Sequence, residues 1–146
     1  EARIQQTLGA PQPIYNGGLL RARLRDYDAR ARRPGLPPDV AALVTKLEAG
    51  QTGVRLVNLN SNAGRELVIQ AGAYGEHRFS GVQYTALSSP YPGPPAHYAG
   101  PPVTEETRSA DFTGQYLGVE LPPGTEVALD LATDRYAGQP SCAGLY

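Results

Sequence analysis

Two histidines, one cysteine and a scatter of carboxylates are the groups with chemistry to offer in this 146-residue chain. His77 stands in Glu76-His77-Arg78 beside a strand pattern, and His97 in a proline-rich stretch. A cupin-type metal site needs a His-x-His pair with a following Glu and a further His on barrel strands. That spacing is absent, so no metal is expected. His77 then reads as a hydrogen-bonded strand histidine and His97 as a loop residue, with ligand binding as its alternative role. Cys142 lies in a Pro-Ser-Cys-Ala-Gly tail without a local base, and no Gly-x-Ser-x-Gly elbow occurs. Glu76, Glu105, Glu106, Asp111 and Glu120 could converge in space as acid and base, but nothing in their spacing selects a pair. The stretches Gly72-Ala73-Tyr74-Gly75 and Gly17-Gly18 lack the strand-to-helix context that cradles phosphate. No catalytic residue and no cofactor are therefore assigned, and the pattern points away from an enzyme.

Two other sets have a spacing that suggests contact rather than catalysis. Tyrosine outnumbers phenylalanine nine to two, and Tyr74, Tyr84, Tyr91 and Tyr98, with His97, lie in or beside the proline-rich stretch. A ring with a polar tip suits stacking on a sugar or packing at a protein interface, so these five form the candidate binding set. The competing reading is that the rings pack on prolines and stiffen the loop. Arg21, Arg23 and Arg25 alternate with Leu20, Ala22 and Leu24. This makes an arginine face that could dock an acidic partner or be a solvated surface.

The formal net charge of −1 gives no broad field for nucleic acid or an anionic membrane. No apolar run approaches the roughly 18 residues of a membrane span. One cysteine excludes an intrachain disulfide and leaves the redox compartment open. The chain begins at Glu1 and holds no Met, which suggests cutting from something longer and an extracellular or periplasmic location.

The elements that must position these residues are mainly strands. Residues 1–37 read as an extended segment with one strand, the alternating stretch Leu19 to Tyr27. Val40, Leu43, Val44 and Leu47 fall at helical spacing, with Pro37 and Pro38 before them and Gly50 after, which predicts one short covering helix over 38–49. Val54 to Asn60 and Glu66 to Ala73 predict a hairpin across Ser61-Asn62-Ala63-Gly64-Arg65, and Glu76 to Ala86 a further strand with a bulge at Gly81. Six prolines make Ser88 to Pro102 a stiff surface loop. Gln115 to Leu121 and Glu126 to Leu131 predict a second hairpin, the latter strand with one apolar and one acidic face, and the tail from Tyr136 to Tyr146, rich in small residues and turn formers, is expected either to wrap over the domain or to belong to an interface. With 17 glycines and 14 prolines marking turns, the expected fold is mainly β. It is an antiparallel β-sandwich, Ig-like or jelly-roll-like, with one short helix and a Pro-rich loop. Residues 38–146 form the sandwich, and the whole makes one compact domain.

The order Val54-Arg55-Leu56-Val57-Asn58-Leu59 with its return strand, then Leu121-Pro122-Pro123-Gly124-Thr125-Glu126-Val127-Ala128-Leu129, resembles the C-terminal β-sandwich accessory domains of large bacterial enzymes, many of them carbohydrate-active. The resemblance covers residues 52–132 and transfers no functional residue. It implies a non-catalytic module that docks to another domain or subunit of a parent protein, or binds glycan. Two alternatives stand beside it: a self-assembling extracellular subunit using its N-terminal strand, which leaves oligomerisation open, and a small carboxylate-dependent hydrolase.

Overall fold

The computed structural model describes residues 23–88 and 104–146, and these form nine strands and no helix. In chain order the strands are β1 (Leu24–Asp28), β2 (Arg33–Pro34), β3 (Val40–Glu48), β4 (Gln51–Asn58), β5 (Arg65–Ala71), β6 (Arg78–Ser88), β7 (Thr104–Ala110), β8 (Tyr116–Leu121) and β9 (Glu126–Asp134). They make a four-stranded sheet, β2-β1-β5-β8, and a five-stranded sheet, β3-β4-β9-β6-β7, with every pairing antiparallel.

Alternation explains why these segments pack as they do. Val54 and Leu56 on β4, and Leu129 and Leu131 on β9, point to the same side of the five-stranded sheet, while Leu67, Ile69 and Ala71 on β5 point from the other sheet. Together with Leu24, Val40, Phe79, Val82 and Leu121 they form one buried cluster drawn from both sheets. Each such aliphatic side chain contributes roughly 1.5–3 kcal/mol by leaving water. The opposite sides of β4 and β9 carry Arg55, Glu126 and Asp130. The five-stranded sheet is the wider one. Its margin strand β7 puts nothing into the cluster, and Glu105 to Ala110 are exposed on both of its faces.

The helix expected over 38–49 does not form; the segment is β3. Val40, Ala42 and Val44 alternate with the exposed Ala41, Leu43 and Thr45, and the β-branched residues favour the pleated surface. Val40, Leu43, Val44 and Leu47 fit the helical period, while Val40, Ala42 and Val44 fit the strand period, which leaves Leu43 and Leu47 exposed. Ala49-Gly50 is a two-residue turn between the paired Glu48 and Gln51, so the glycine taken for a helix stop closes a tight hairpin instead.

The four strands read with most support are present, but their pairing differs from expectation. β4 and β5 lie in different sheets, as do β8 and β9. Both connections are arches that cross from one sheet to the other, because two strands with strong apolar faces bury more by facing each other across a core than by lying side by side. The arches sit at the same end and lock together. Asn58 N–H donates to Thr125 O at 2.9 Å and Gly124 N–H to Asn60 O at 2.9 Å. The buried Asn58 amide donates to Ala63 O at 2.9 Å, Leu121 O at 3.1 Å and Pro122 O at 3.0 Å, while its oxygen accepts Asn60 N–H at 3.0 Å.

Candidate functional site

At the other end of the strands, the start of β1, the β3–β4 turn, the β5–β6 connection and the end of β9 come together. Gly72 N–H donates to Arg23 O at 2.7 Å and Thr133 N–H to Gly50 O at 2.8 Å. The Arg23 guanidinium reaches Ala49 O at 3.5 Å.

In the β5–β6 connection, Glu76 is buried and its carboxylate accepts Tyr74 N–H at 2.8 Å. It occupies the space where Gly72, at φ +88, would carry a Cβ. Gly72→Ala is therefore expected to lose about 2 kcal/mol, from left-handed strain and displacement of that carboxylate. Thermal unfolding reads the loss. A melting temperature unchanged from that of the wild type would contradict this account of the loop.

His77 is also buried. Its Nδ1 accepts Tyr136 N–H at 3.1 Å, and its Nε2 lies 3.7 Å from Glu76 Oε1. A nitrogen that accepts an amide proton carries none itself, so the proton of the neutral ring sits on Nε2 and faces the carboxylate. Burial lowers the His77 pKa, the Glu76 carboxylate opposes this, and Arg23 and Arg135 add to the lowering. Nδ1 is committed to Tyr136, while Nε2 faces the Glu76 carboxylate beyond hydrogen-bond length. The imidazole serves to hold Tyr136, matching the hydrogen-bonded role expected for it, although from a connection rather than a strand.

Tyr136 is the exposed product of this arrangement. It has φ +57, uncommon for a bulky residue, and keeps 69% of its surface open. Its ring meets His77 edge-on at 4.9 Å, and the Arg135 guanidinium lies 5.2 Å over it with Nη2 3.4 Å from the phenol oxygen. Backbone strain held by a hydrogen bond and two ring contacts is the signature of a preorganised side chain.

The residues picked from sequence are distributed differently. Arg21, Tyr91, His97 and Tyr98 lie outside the described residues, with most of the Pro-rich loop. Tyr74 is half-buried in the β5–β6 connection, where its carbonyl accepts Ser141 N–H at 2.8 Å. Tyr84 lies midway along β6, at the margin of the core beside Arg108. Six residues of extended strand beyond Arg78 set it roughly 20 Å from that connection, so the two tyrosines form no common face. Arg23 joins the end cluster, whereas Arg25 stacks 5.2 Å over Tyr27 and donates to Ala73 O at 3.4 Å. Arg135 and Tyr136 were missed because they fall in a stretch of small residues and turn formers. An exposed aromatic directly after a cation at a strand end is the signal that marks them.

The tail does wrap over the domain. Tyr146 packs edge-on against the fully buried Tyr27, with ring centres 6.0 Å apart, and Arg32 lies 5.4 Å over Tyr146. The Tyr27 hydroxyl donates to Gln70 Oε1 at 3.0 Å, and Gln70 Nε2 donates to Gly72 O at 2.9 Å, tying this outer face to the end cluster. Cys142 is exposed in the same tail.

The acids read as possible partners are spread over separate elements. Glu76 faces inward, Glu106 is ion-paired with Arg108, and Glu120 lies on β8 in the other sheet. Glu105 and Glu126 share a groove of about 200 Å³ with Arg55, Thr85 and Ala128, on the outer face of the five-stranded sheet. There Glu126 is engaged by Arg55 at 3.0 Å. Among the described residues no group of three His, Cys, Asp or Glu is placed to hold a metal ion, and no helix is long and apolar enough to cross a membrane.

The described chain is thus a mainly β domain of two antiparallel sheets with a strained aromatic at one end. No family model matches the sequence, and no curated protein matches it. Among solved structures it is similar to an arabinose-bound α-L-arabinofuranosidase of the glycoside hydrolase 51 type, at 14% identity and a TM-score of 0.51. The match covers 69% of this chain and 16% of that one. The likeness is one of fold.

Proposed function

We propose that this chain is a non-catalytic module of β-sandwich type, Ig-like or jelly-roll-like, that serves a larger carbohydrate-active protein outside the cytoplasm by contacting saccharide at its Tyr136 end. The observation that carries the reading is Tyr136 itself, an aromatic ring fixed in a strained backbone and left 69% exposed. A ring ordered in advance loses little entropy on stacking against a sugar. The fold likeness supports it from another direction, since a domain of this shape forms a small share of an enzyme whose description includes bound arabinose. Docking to a neighbouring domain of a parent protein uses the same kind of surface and belongs to the same reading.

Titration with a panel of neutral and acidic oligosaccharides, followed by tyrosine fluorescence and amide chemical shifts, tests it. Binding should perturb Tyr136, Arg135 and His77, and Tyr136→Ala should weaken affinity about tenfold, the equivalent of one good aromatic contact. Absence of any response across the panel removes the saccharide reading.

A further inference from the structure

The cations around Tyr136 say more about what would sit there. Of the described arginines, Arg33, Arg55, Arg65 and Arg108 each form an ion pair with a carboxylate. Arg23, Arg25, Arg30, Arg32, Arg78 and Arg135 form none with a described residue, and of these Arg23 and Arg135 are the two that act on His77 at the Tyr136 end. Arg23 enters from the start of β1 and is anchored by Ala49 O; Arg135 enters from the end of β9, two residues past the Thr133 amide that is bonded to Gly50 in the same turn. The turn at Ala49-Gly50 therefore gathers both at one end, where burial first and the Arg135 charge second hold the Arg23 pKa below its usual value, and both guanidinium groups act on His77.

No described carboxylate forms an ion pair with either: Glu76 is turned inward onto Tyr74 N–H, and the exposed Asp134 contacts neither guanidinium within salt-bridge distance. The neutral His77 adds no charge. Two guanidinium groups brought to the same end of the strands repel each other, and an anion bound there relieves that repulsion while accepting paired N–H bonds from the planar forks.

We propose that the Tyr136 end selects a saccharide bearing a carboxylate, a uronic acid unit, with the sugar ring against Tyr136 and the carboxylate between Arg23 and Arg135. This rests on the saccharide reading above and names the substrate class of that site. One guanidinium over an exposed aromatic ring with a second at the same end is a combination that a neutral sugar does not need, whereas a uronic acid uses both halves of it.

Calorimetric titration of the chain with an oligogalacturonide, with its fully methyl-esterified form and with an oligoglutamate peptide tests the proposal. The acid form should bind at least about tenfold more tightly than the ester, the effect of a charge-assisted contact, and the preference should shrink as salt rises from about 50 to about 500 mM. Arg135→Gln and the double variant Arg23→Gln/Arg135→Gln should bring the ratio of acid to ester affinity to about one, whatever change the lost Tyr136 contact makes to both affinities. Arg135→Lys, which keeps charge and loses the fork, should retain part of it. Thermal melts of each variant establish folding, and Arg135, on the surface, can be read alone if Arg23→Gln lowers stability. Equal binding of acid and ester overturns the proposal and leaves the saccharide reading standing. Oligoglutamate binding as tightly as the oligogalacturonide overturns it in favour of an acidic protein partner. No binding of any of the three overturns both.

Discussion

Asp26→Asn should stabilise the domain by about 3 kcal/mol at pH 7 and remove a fall in stability that the wild type shows between pH 4 and 6. Asp26 lies on β1, on the same side as Leu24, is buried, and makes no side-chain hydrogen bond or ion pair with a described residue. Its neighbour Asp28 differs, with Arg33 at 3.4 Å and Ala31 N–H at 2.9 Å. Burial pushes the Asp26 carboxyl up to about 6 from an ordinary 3.8. The folded state therefore holds this proton more tightly than the unfolded state. The stabilisation is complete below pH 3.8 and is lost as pH rises through about 6. Asp39 and Glu106 run the other way: hydrogen bonds from Asn60 and Arg65, and from Arg108, lower their pKa, so their contributions are lost as pH falls. Both are exposed and present in each protein, so the difference between wild type and Asp26→Asn isolates Asp26. Urea unfolding at several pH values measures it, and parallel pH profiles for the two proteins would refute the assignment.

Asn58→Asp should lose about 4 kcal/mol, against about 2–3 kcal/mol for Asn58→Ala. The amide nitrogen of Asn58 points at three carbonyl oxygens, Ala63, Leu121 and Pro122, in two different arches. Alanine takes this donor away from all three, of which Pro122 O keeps others, the Thr125 amide and hydroxyl. A carboxylate directs its own negative oxygens at them in a site of 1% exposure. Neutralising that carboxylate lets it donate once, so the extra loss over Asn58→Ala should shrink in acid. Chemical denaturation of both variants at neutral and acidic pH checks the ranking; a tolerated Asn58→Asp would mean that the arches do not depend on this side chain.

Asn58 also shows where sequence reading stopped. Alternation in Val54 to Leu59, Glu66 to Ala73 and Val127 to Leu131 revealed strands and their apolar faces, because side-chain direction in a strand is local. Whether consecutive strands pair or arch is decided by contacts remote in sequence, and Asn58 reads as one more polar residue near a turn. The segment 40–47 fits two periods, and only its pairing with β4 chooses between them. β7 left no trace, since Glu105 to Ala110 are exposed and carry no apolar alternation to detect. At the end cluster, the arginine alternation pointed to Arg23 but not to what it faces. Arg135 and Tyr136 acquire meaning from a glycine-shaped loop and a histidine more than fifty residues earlier.

The unequal widths of the two sheets grade the molecule's resistance to opening. β9 is hydrogen-bonded on both sides and carries Leu129 and Leu131 into the core. Releasing it means breaking two ladders and flooding the centre, close to the free energy of unfolding the whole domain. Among the described residues β7 pairs with β6 alone, and with Glu105 to Ala110 wet on both faces it surrenders almost no buried apolar surface when it peels away. The fold therefore has a hem that can lift while the seam behind it stays closed, and an exchange of strands with another chain would begin there.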